Sequence, residues 1–330
     1  MKTVKIDFID FWSDLNKTDN YFYNILKKYY KVEISDHPDY VFCSYFSQKH
    51  FKYRNCVKIL YMGENVIPDF NLYDYALGFH HITFEDRYLR LPHYALYDKE
   101  KEIGPALRKH THSDEYYLSK KHFCNRVVSN PDASGEREEM FDALCAFMKV
   151  DSGGRYGNNI GRPVKDKIKF ERHYRFTLAY ENSSTPGYVT EKILQAFAGD
   201  TVPIYWGDPG IEEEFNPAAF INCMRYASVA EAVDAVKAVW EDDERYLAMM
   251  KAPMVLPGSI GDKCLKEDYA DAFLRNIFDQ ELPAAKRRNM VYVGKIYQDR
   301  LGAAIKVKNA LDVVKRPAHM LGKLRKQKSK

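Results

Sequence analysis

Residues 179–207 read AYENSSTPGYVTEKILQAFAGDTVPIYWG: an apolar run, a polar loop, a helix opening with Thr-Glu-Lys, and a second apolar run, with no linker between them. An apolar run followed by one amphipathic helix and a second apolar run is a strand–helix–strand unit, which makes the two strands parallel neighbours. The rest of the chain repeats that alternation. An α/β fold with parallel sheets and crossover helices follows. In such sheets ligands bind beyond the carboxyl ends of the strands, where helix N-termini point.

With 330 residues there is room for two domains of ordinary size. Strand-like runs are expected at Val4–Phe11, Val32–Ile34, Tyr40–Phe46 and Cys56–Met62, with a helix at Asp19–Tyr30 capped by Thr18 or Asp19. Residues 98–120 are charged and weakly periodic, as a connector would be. A second alternating unit begins at Phe123: strand Cys124–Ser129, helix Glu136–Met148, strand Phe176–Tyr180, helix Thr190–Ala198, strand Thr201–Trp206 and a short strand Phe220–Cys223. The expected architecture is two doubly wound parallel-sheet domains facing a cleft, over 1–115 and 116–285, with a basic helical tail over 286–330.

Charge is unevenly distributed. Net charge is +4, yet from residue 286 onward there are 14 Lys/Arg against Asp299 and Asp312, a balance of +12 that leaves −8 on the body. A mildly acidic body argues against nucleic-acid binding. The six cysteines lie far apart with no C-x-x-C pair, so they read as buried thiols rather than zinc ligands or a disulfide framework. His93, His110, His112 and His122 lack metal-ligand spacing and read as surface. Asp7 and Asp10 interrupt the apolar start, which therefore does not read as a signal peptide, and no uncharged apolar stretch is long enough to span a membrane. A cytoplasmic protein is expected.

Chemistry concentrates at strand ends. Strand Phe176–Tyr180 runs into Glu181-Asn182-Ser183-Ser184, and Thr190 is placed to cap the next helix. The unpaired N–H groups and dipole of that first turn attract anions. Lys192 is unfavourable for the helix there, and a phosphate group would answer the conflict. The carboxylate of Glu191 can bridge two vicinal ribose hydroxyls. On local pattern alone, Thr-Glu-Lys equally describes first-turn charge with a solvated lysine. In the first half of the chain, Cys56–Met62 ends in Gly63-Glu64-Asn65, which puts Glu64 at a strand's carboxyl end; position alone also describes a solvated loop acid.

The longer pattern E-N-S-x-x-x-x-Y-V-T-E-K over Glu181–Lys192, then A-x-x-x-x-x-x-P-I-Y-W-G over Ala196–Gly207, resembles the donor-binding signature of the GDP-fucose-dependent α1,3-fucosyltransferases, bacterial Lewis-antigen type. Val128–Arg137 is similar to the segment in which that family carries a pyrophosphate-binding arginine, and Arg137 is the matching position. Residues 61–79 and Phe84–Pro92 resemble its acceptor-domain motif, with Glu64 at the position of the proposed general base. His80 departs from the pattern, because an acid is expected after Gly-Phe.

The resemblance implies a GT-B fold and an inverting, metal-independent transfer of L-fucose from GDP-fucose to a GlcNAc hydroxyl of an N-acetyllactosamine-type glycan. No Asp-x-Asp pair occurs in the sequence to hold a metal. It implies Glu64 as catalytic base and Ser129, Asn130, Arg137, Asn182, Tyr188, Glu191 and Lys192 around the donor. Competing readings are a GT-B enzyme using another nucleotide-sugar and a noncatalytic nucleotide-sugar-binding protein. Residues 291–314 mix apolar and basic residues before Pro317, which is expected to break any helix, and Lys323–Lys330 is a basic end. With the family's lipid-linked acceptors (lipopolysaccharide among them), this implies peripheral attachment to an anionic membrane, the cytoplasmic face of the inner membrane. A chain ending near residue 285 is expected to be released yet catalytic.

Overall fold

In chain order, the computed structural model has β1 (Thr3–Ile9), α1 (Tyr21–Leu26), β2 (Lys31–Ile34), β3 (Tyr40–Cys43), β4 (Val57–Tyr61), β5 (Tyr75–Gly78) and β6 (Tyr88–Arg90). Next come α2 (Gly104–Arg108), α3 (Asp114–Leu118), β7 (His122–Arg126), α4 (Glu136–Phe147), β8 (Val150–Ser152), α5 (Lys167–Glu171), β9 (Tyr174–Tyr180), α6 (Glu191–Ala198), β10 (Val202–Trp206) and β11 (Ile221–Asn222). The chain closes with α7 (Val229–Trp240), α8 (Asp243–Lys251), α9 (Ile260–Cys264), α10 (Asp271–Asp279), α11 (Leu282–Ala285) and α12 (Val293–Gln327). The structure describes residues 1–97, 99–131, 135–266 and 268–327. Asp98 of the expected connector, Asp132, Ala133 and Ser134 of the quoted Val128–Arg137 segment, and the last three residues of the basic end lie outside the described residues.

Two sheets form, as the alternation requires. One has the order β2-β1-β3-β4-β5-β6, the other β11-β10-β9-β7-β8. Ile6 pairs with Ile34 and Tyr40, and Phe42 with Ile59, all in parallel register. In the second sheet Phe176 pairs with Cys124 and Val202, again in parallel. Every residue of β3, β4 and β9 is buried, because a parallel sheet is covered on both faces and its strands read as continuous apolar runs.

Two compact units divide the chain: residues 1–61, 68–76 and 275–330 in one, 62–67 and 77–274 in the other. The sequence placed its boundaries at 115/116 and 285/286. In the first unit Phe278 of α10 stacks on Tyr40 at 4.3 Å between ring centroids, and Phe8, Phe22 and Phe42 stack in a row. The second unit has its core around Phe123, Phe176, Val202, Ile204, Val236 and Tyr246.

Several expectations change. Asn20, not Thr18 or Asp19, caps α1, accepting from Tyr23 N–H at 3.0 Å. The expected connector holds α2 and α3 instead of irregular chain, with Pro105 in the first turn of α2 and Ser113 capping α3. The helix α12 continues past Pro317; a proline removes one N–H bond, and the chain stays helical on both sides of it. Beyond residue 285, Arg287 and Arg288 donate backbone N–H groups to Asp74 Oδ1 at 2.8 Å each, and Arg288 Nε reaches Oδ2 at 2.8 Å. Gln298 then bonds the Asn71 carbonyl and Tyr297 the Asp69 carboxylate. This start of the basic segment is part of the first unit's packing, so a chain ending near 285 loses structure as well as charge.

Asp74 and Arg288 are both buried, and removing one member of a buried ion pair leaves an uncompensated charge worth about 3–5 kcal/mol. Arg288→Ala is therefore expected to lose about that much stability in urea unfolding, and truncation after residue 285 at least as much. Wild-type stability in the Arg288 variant would contradict this.

Candidate active site

The site is built from the carboxyl ends of β9 and β10 and the loop between β9 and α6, all in the second unit. Glu181, the residue after β9, is fully buried. Its N–H bonds the Trp206 carbonyl at 2.9 Å, extending the ladder by one step. Its carboxylate accepts from Thr190 N–H at 2.7 Å, from Thr190 Oγ1 at 2.6 Å and from Lys192 Nζ at 2.7 Å. Such charge-assisted bonds let a buried carboxylate persist. Gly207 makes room for it, since a Cβ there would lie 2.5 Å from Glu181 Cγ.

Two expectations about this loop are revised. Thr190 occupies the N-cap position, but its hydroxyl donates to Glu181 and caps no N–H of α6. Lys192, expected to need a phosphate, already has an internal counter-ion in Glu181. Burial opposes its charge, but Glu181 and Glu191 more than offset that and raise its pKa. What remains for an anion is the uncapped first turn of α6 beside a permanently charged ammonium.

Glu191 is the most perturbed acid of the set. Burial would raise its pKa, yet Lys192, His93 and Lys167 together hold it down at about 2. His93 Nε2 stands 4.0 Å from Glu191 Oε2; its own pKa is lowered, chiefly by burial.

Glu64 belongs to the same compact unit, and Tyr188 donates its hydroxyl to Glu64 Oε2 at 3.2 Å. Tyr188 is buried and packs against Phe79 at 4.7 Å. Burial first, then the charges of Glu181 and Glu64, push its pKa far up, so it remains a donor. The charge of Glu64 also acts on Lys192 and His93, raising the pKa of each. Glu64, Tyr188, Glu191 and Lys192 thus share one electrostatic neighbourhood.

Arg137 sits elsewhere in the sheet, one strand over, since β7 neighbours β9. It lies in the first turn of α4 and is buried, not the surface residue its position alone describes. Its guanidinium bonds Glu138 Oε1 at 3.2 Å and the Asn130 carbonyl at 3.0 Å. Arg126, at the end of β7, holds the other oxygen of Glu138 at 2.9 Å and lies over the Phe141 ring. Ser129 and Asn130 are exposed and Asn182 half-buried. Sequence reasoning missed Glu181, Thr190, Glu138 and Arg126 as a supporting frame.

His80 is buried, stacked on Phe79 at 4.2 Å, with Nδ1 lacking a partner; burial lowers its pKa and keeps the ring neutral. Next to it, His81, Asp208 and Glu214 each bring one possible ligand atom within 4.8 Å of the others. Both oxygens of Glu214 are taken, by Arg90 and Tyr94. Asp208 Oδ1 accepts the N–H of Gly187 at 2.8 Å and of Gly210 at 2.9 Å, while Oδ2 has no partner. The Arg90 guanidinium already supplies positive charge to this cluster. Gly187, at φ +85°, passes so close to the Phe79 carbonyl that a Cβ would lie 2.4 Å from it.

Two family models match the chain: the alpha-(1,3)-fucosyltransferase FucT N-terminal domain over residues 6–97, and the glycosyltransferase family 10 (fucosyltransferase) C-terminal region over 117–251. Alpha-(1,3)-fucosyltransferase FucT of Helicobacter pylori is 34% identical over 284 residues, covering 75% of this chain and 59% of its own length. The chain thus spans less than two thirds of that relative. A crystal structure of an alpha1,3-fucosyltransferase superposes with a TM-score of 0.73 at 29% identity, covering 88% of this chain and 93% of the other. One with GDP-fucose superposes at 0.70 and 30% identity, over 85% and 92%. The architecture is GT-B.

The depressed pKa of Glu191 has a stability consequence. A folded pKa below the unfolded value stabilises the fold above the unfolded pKa, and the gain is lost as pH falls; here the window runs from 4.5 down to about 2. Urea unfolding of wild type and Glu191→Gln should differ most above pH 5 and converge as pH is lowered through that window. A gap that does not change with pH would contradict the assignment.

Proposed function

The chain belongs to glycosyltransferase family 10, the fucosyltransferases, and on that premise we propose that it is an inverting α1,3-fucosyltransferase using GDP-fucose. The acceptor in this reading is a GlcNAc hydroxyl of an N-acetyllactosamine-type glycan. The observation that carries it is the hydrogen bond from Tyr188 to Glu64, which ties a carboxylate able to act as base to the loop leading into Glu191 and Lys192.

GDP-fucose carries its leaving group β, so an α-fucoside product requires one in-line displacement. The acceptor oxygen bonds to fucose C1 as the bond from C1 to the phosphate oxygen breaks. The acceptor proton passes to Glu64, and the bonding electrons leave with GDP. A positioned base contributes about 10²–10⁴-fold to such a step. Tyr188, a donor to Glu64 Oε2, orients the carboxylate. Charge developing on GDP falls to Lys192, Arg137 and the first turn of α6. Glu191 bridges the ribose hydroxyls, and Ser129, Asn130 and Asn182 supply polar contacts. Because the sequence has no Asp-x-Asp pair, these cations take the part a metal plays elsewhere.

A peripheral membrane contact through the C-terminal segment is part of the same proposal. No helix among the described residues is long and apolar enough to cross a membrane. Val291, Tyr292, Val293, Val307 and Leu311 are exposed, and Lys295, Arg300, Lys306 and Lys308 accompany them. Apolar side chains that enter an interface, with basic residues worth about 1 kcal/mol each near an anionic leaflet, give reversible attachment.

Glu64→Gln keeps the shape of the side chain and cannot take a proton. It should bind GDP-fucose as wild type does and lose most turnover; near-normal kcat would remove Glu64 as base. Arg137→Ala and Lys192→Ala each remove a charge-assisted contact of roughly 1.5–3 kcal/mol, an expected tenfold to hundredfold loss of GDP affinity by titration calorimetry. Unchanged affinity in both would place the pyrophosphate elsewhere. Changing the exposed Lys295, Arg300, Lys306 and Lys308 together to Gln, which leaves the docked start of α12 in place, should weaken flotation with anionic liposomes at low salt. Equal binding by the two forms would end the membrane reading of this segment.

A further inference from the structure

We propose that Asn65 is a positioning residue for the transfer, its amide coupling the segment that carries the base to the loop that carries the donor-binding groups. The proposal rests on Glu64 acting as base.

Glu64 follows β4 in irregular chain, where neither a helix nor a ladder fixes its backbone. A catalytic group on a loop needs support to hold its geometry. Its side chain accepts the Tyr188 hydroxyl at 3.2 Å, and the next residue adds a tie of its own. Asn65 Nδ2 lies 2.7 Å from Ser183 Oγ and 2.7 Å from Thr185 Oγ1. An amide nitrogen has two hydrogens, and here both have acceptors, on partners 118 and 120 residues away in sequence. The Thr185 hydroxyl donates its hydrogen to the Ser184 carbonyl at 2.8 Å, so its oxygen accepts from Asn65 and the amide nitrogen is the atom that faces it.

The loop receiving this clamp is itself anchored at two other points. Glu181 holds Thr190 at its far end, and Asp208 holds the N–H of Gly187. Neither anchor involves the base segment. Asn65 does, and Tyr188 lies within the same loop, so loop and base are joined at two places, one through Tyr188 and Glu64 and one through Asn65. A donor ordering the loop therefore also orders Glu64, and a misplacement of about 1 Å at this point can cost on the order of a hundredfold in rate. Asn65 itself touches neither the reacting atoms nor the cations assigned to the diphosphate.

The test is a set of full-length variants, Asn65→Ala, Asn65→Asp, Ser183→Ala/Thr185→Val and the triple variant with Asn65→Ala. Each is assayed with GDP-fucose and a lactosamine acceptor across pH, with melting temperatures alongside. Asn65→Ala should lower kcat about tenfold to hundredfold while KM for GDP-fucose stays within roughly twofold of wild type. The Ser183/Thr185 pair should do the same, and the triple variant should be no worse than either, because all remove one linkage. In Asn65→Asp the Ser183 hydroxyl can donate to the new carboxylate and keep the loop tied, while Thr185 does so only by giving up its bond to the Ser184 carbonyl. Its charge beside Glu64 should raise the pKa of the base, so kcat recovers at high pH and the acidic limb of the rate profile moves up. Wild-type kcat in Asn65→Ala would overturn the proposal. Additive losses in the triple variant, or an unshifted acidic limb in an Asn65→Asp variant as slow as Asn65→Ala, would do so as well. Turnover surviving in Glu64→Gln would instead overturn the base assignment, a result the cycle between Asn65 and Ser183/Thr185 does not depend on.

Discussion

The Glu181 carboxylate is the interaction on which the site depends. It is buried at the end of β9, and three donors from Thr190 and Lys192 converge on it. Those bonds fix where the loop ends and where α6 begins. They also decide the direction of Lys192, whose ammonium is held on a buried acid instead of being left to the solvent. A lysine at a helix start works against the helix dipole; beside Glu181 its charge is kept at little cost to the helix. Glu191 benefits in turn, ionised by the same cation. One buried acid thus fixes the position of Lys192 and the start of α6.

The second constraint is covalent economy in the first half of the chain. Residues 62–67 group with the second unit, although the strand before them belongs to the first. Residues 64 and 65 are bonded to the loop between β9 and α6, through Tyr188 and through Ser183 and Thr185. Arg137 is stabilised differently, by Glu138 bridging it to Arg126. Its bonds to Glu138 and the Asn130 carbonyl use two of the five N–H donors of a guanidinium, so they do not preclude a further contact to a phosphate oxygen.

Much of this was legible in sequence where physics is local. Mainly apolar runs located β1, β3, β4, β9 and β10, although β1 ends two residues and β3 three residues before the expected runs do, and β9 starts two residues earlier. The short strands β6 and β8 were missed; three residues are too few to show a period. Residues 98–120 looked irregular because their helices are only about a turn long. Glu64, Tyr188, Glu191 and Lys192 were singled out from the sequence, but not the bonds among them. Nothing near Glu181 in sequence distinguishes a buried acid from a solvated one, and the contact from Tyr188 to Glu64 spans 124 residues. The same holds for Arg288, read as part of a solvated basic segment and found against buried Asp74.

The account's central claim is a single displacement at fucose C1 with a carboxylate base and no covalent fucosyl-enzyme. The anomeric configuration of the first product tests it directly. Proton NMR of the reaction of the full-length protein with GDP-fucose and a lactosamine acceptor, followed from the earliest turnovers, should show only the α-fucoside, joined to the 3-hydroxyl of GlcNAc. A β-fucoside as the first product would mean retention through a second displacement, and the roles given to Glu64 and Tyr188 would have to be abandoned.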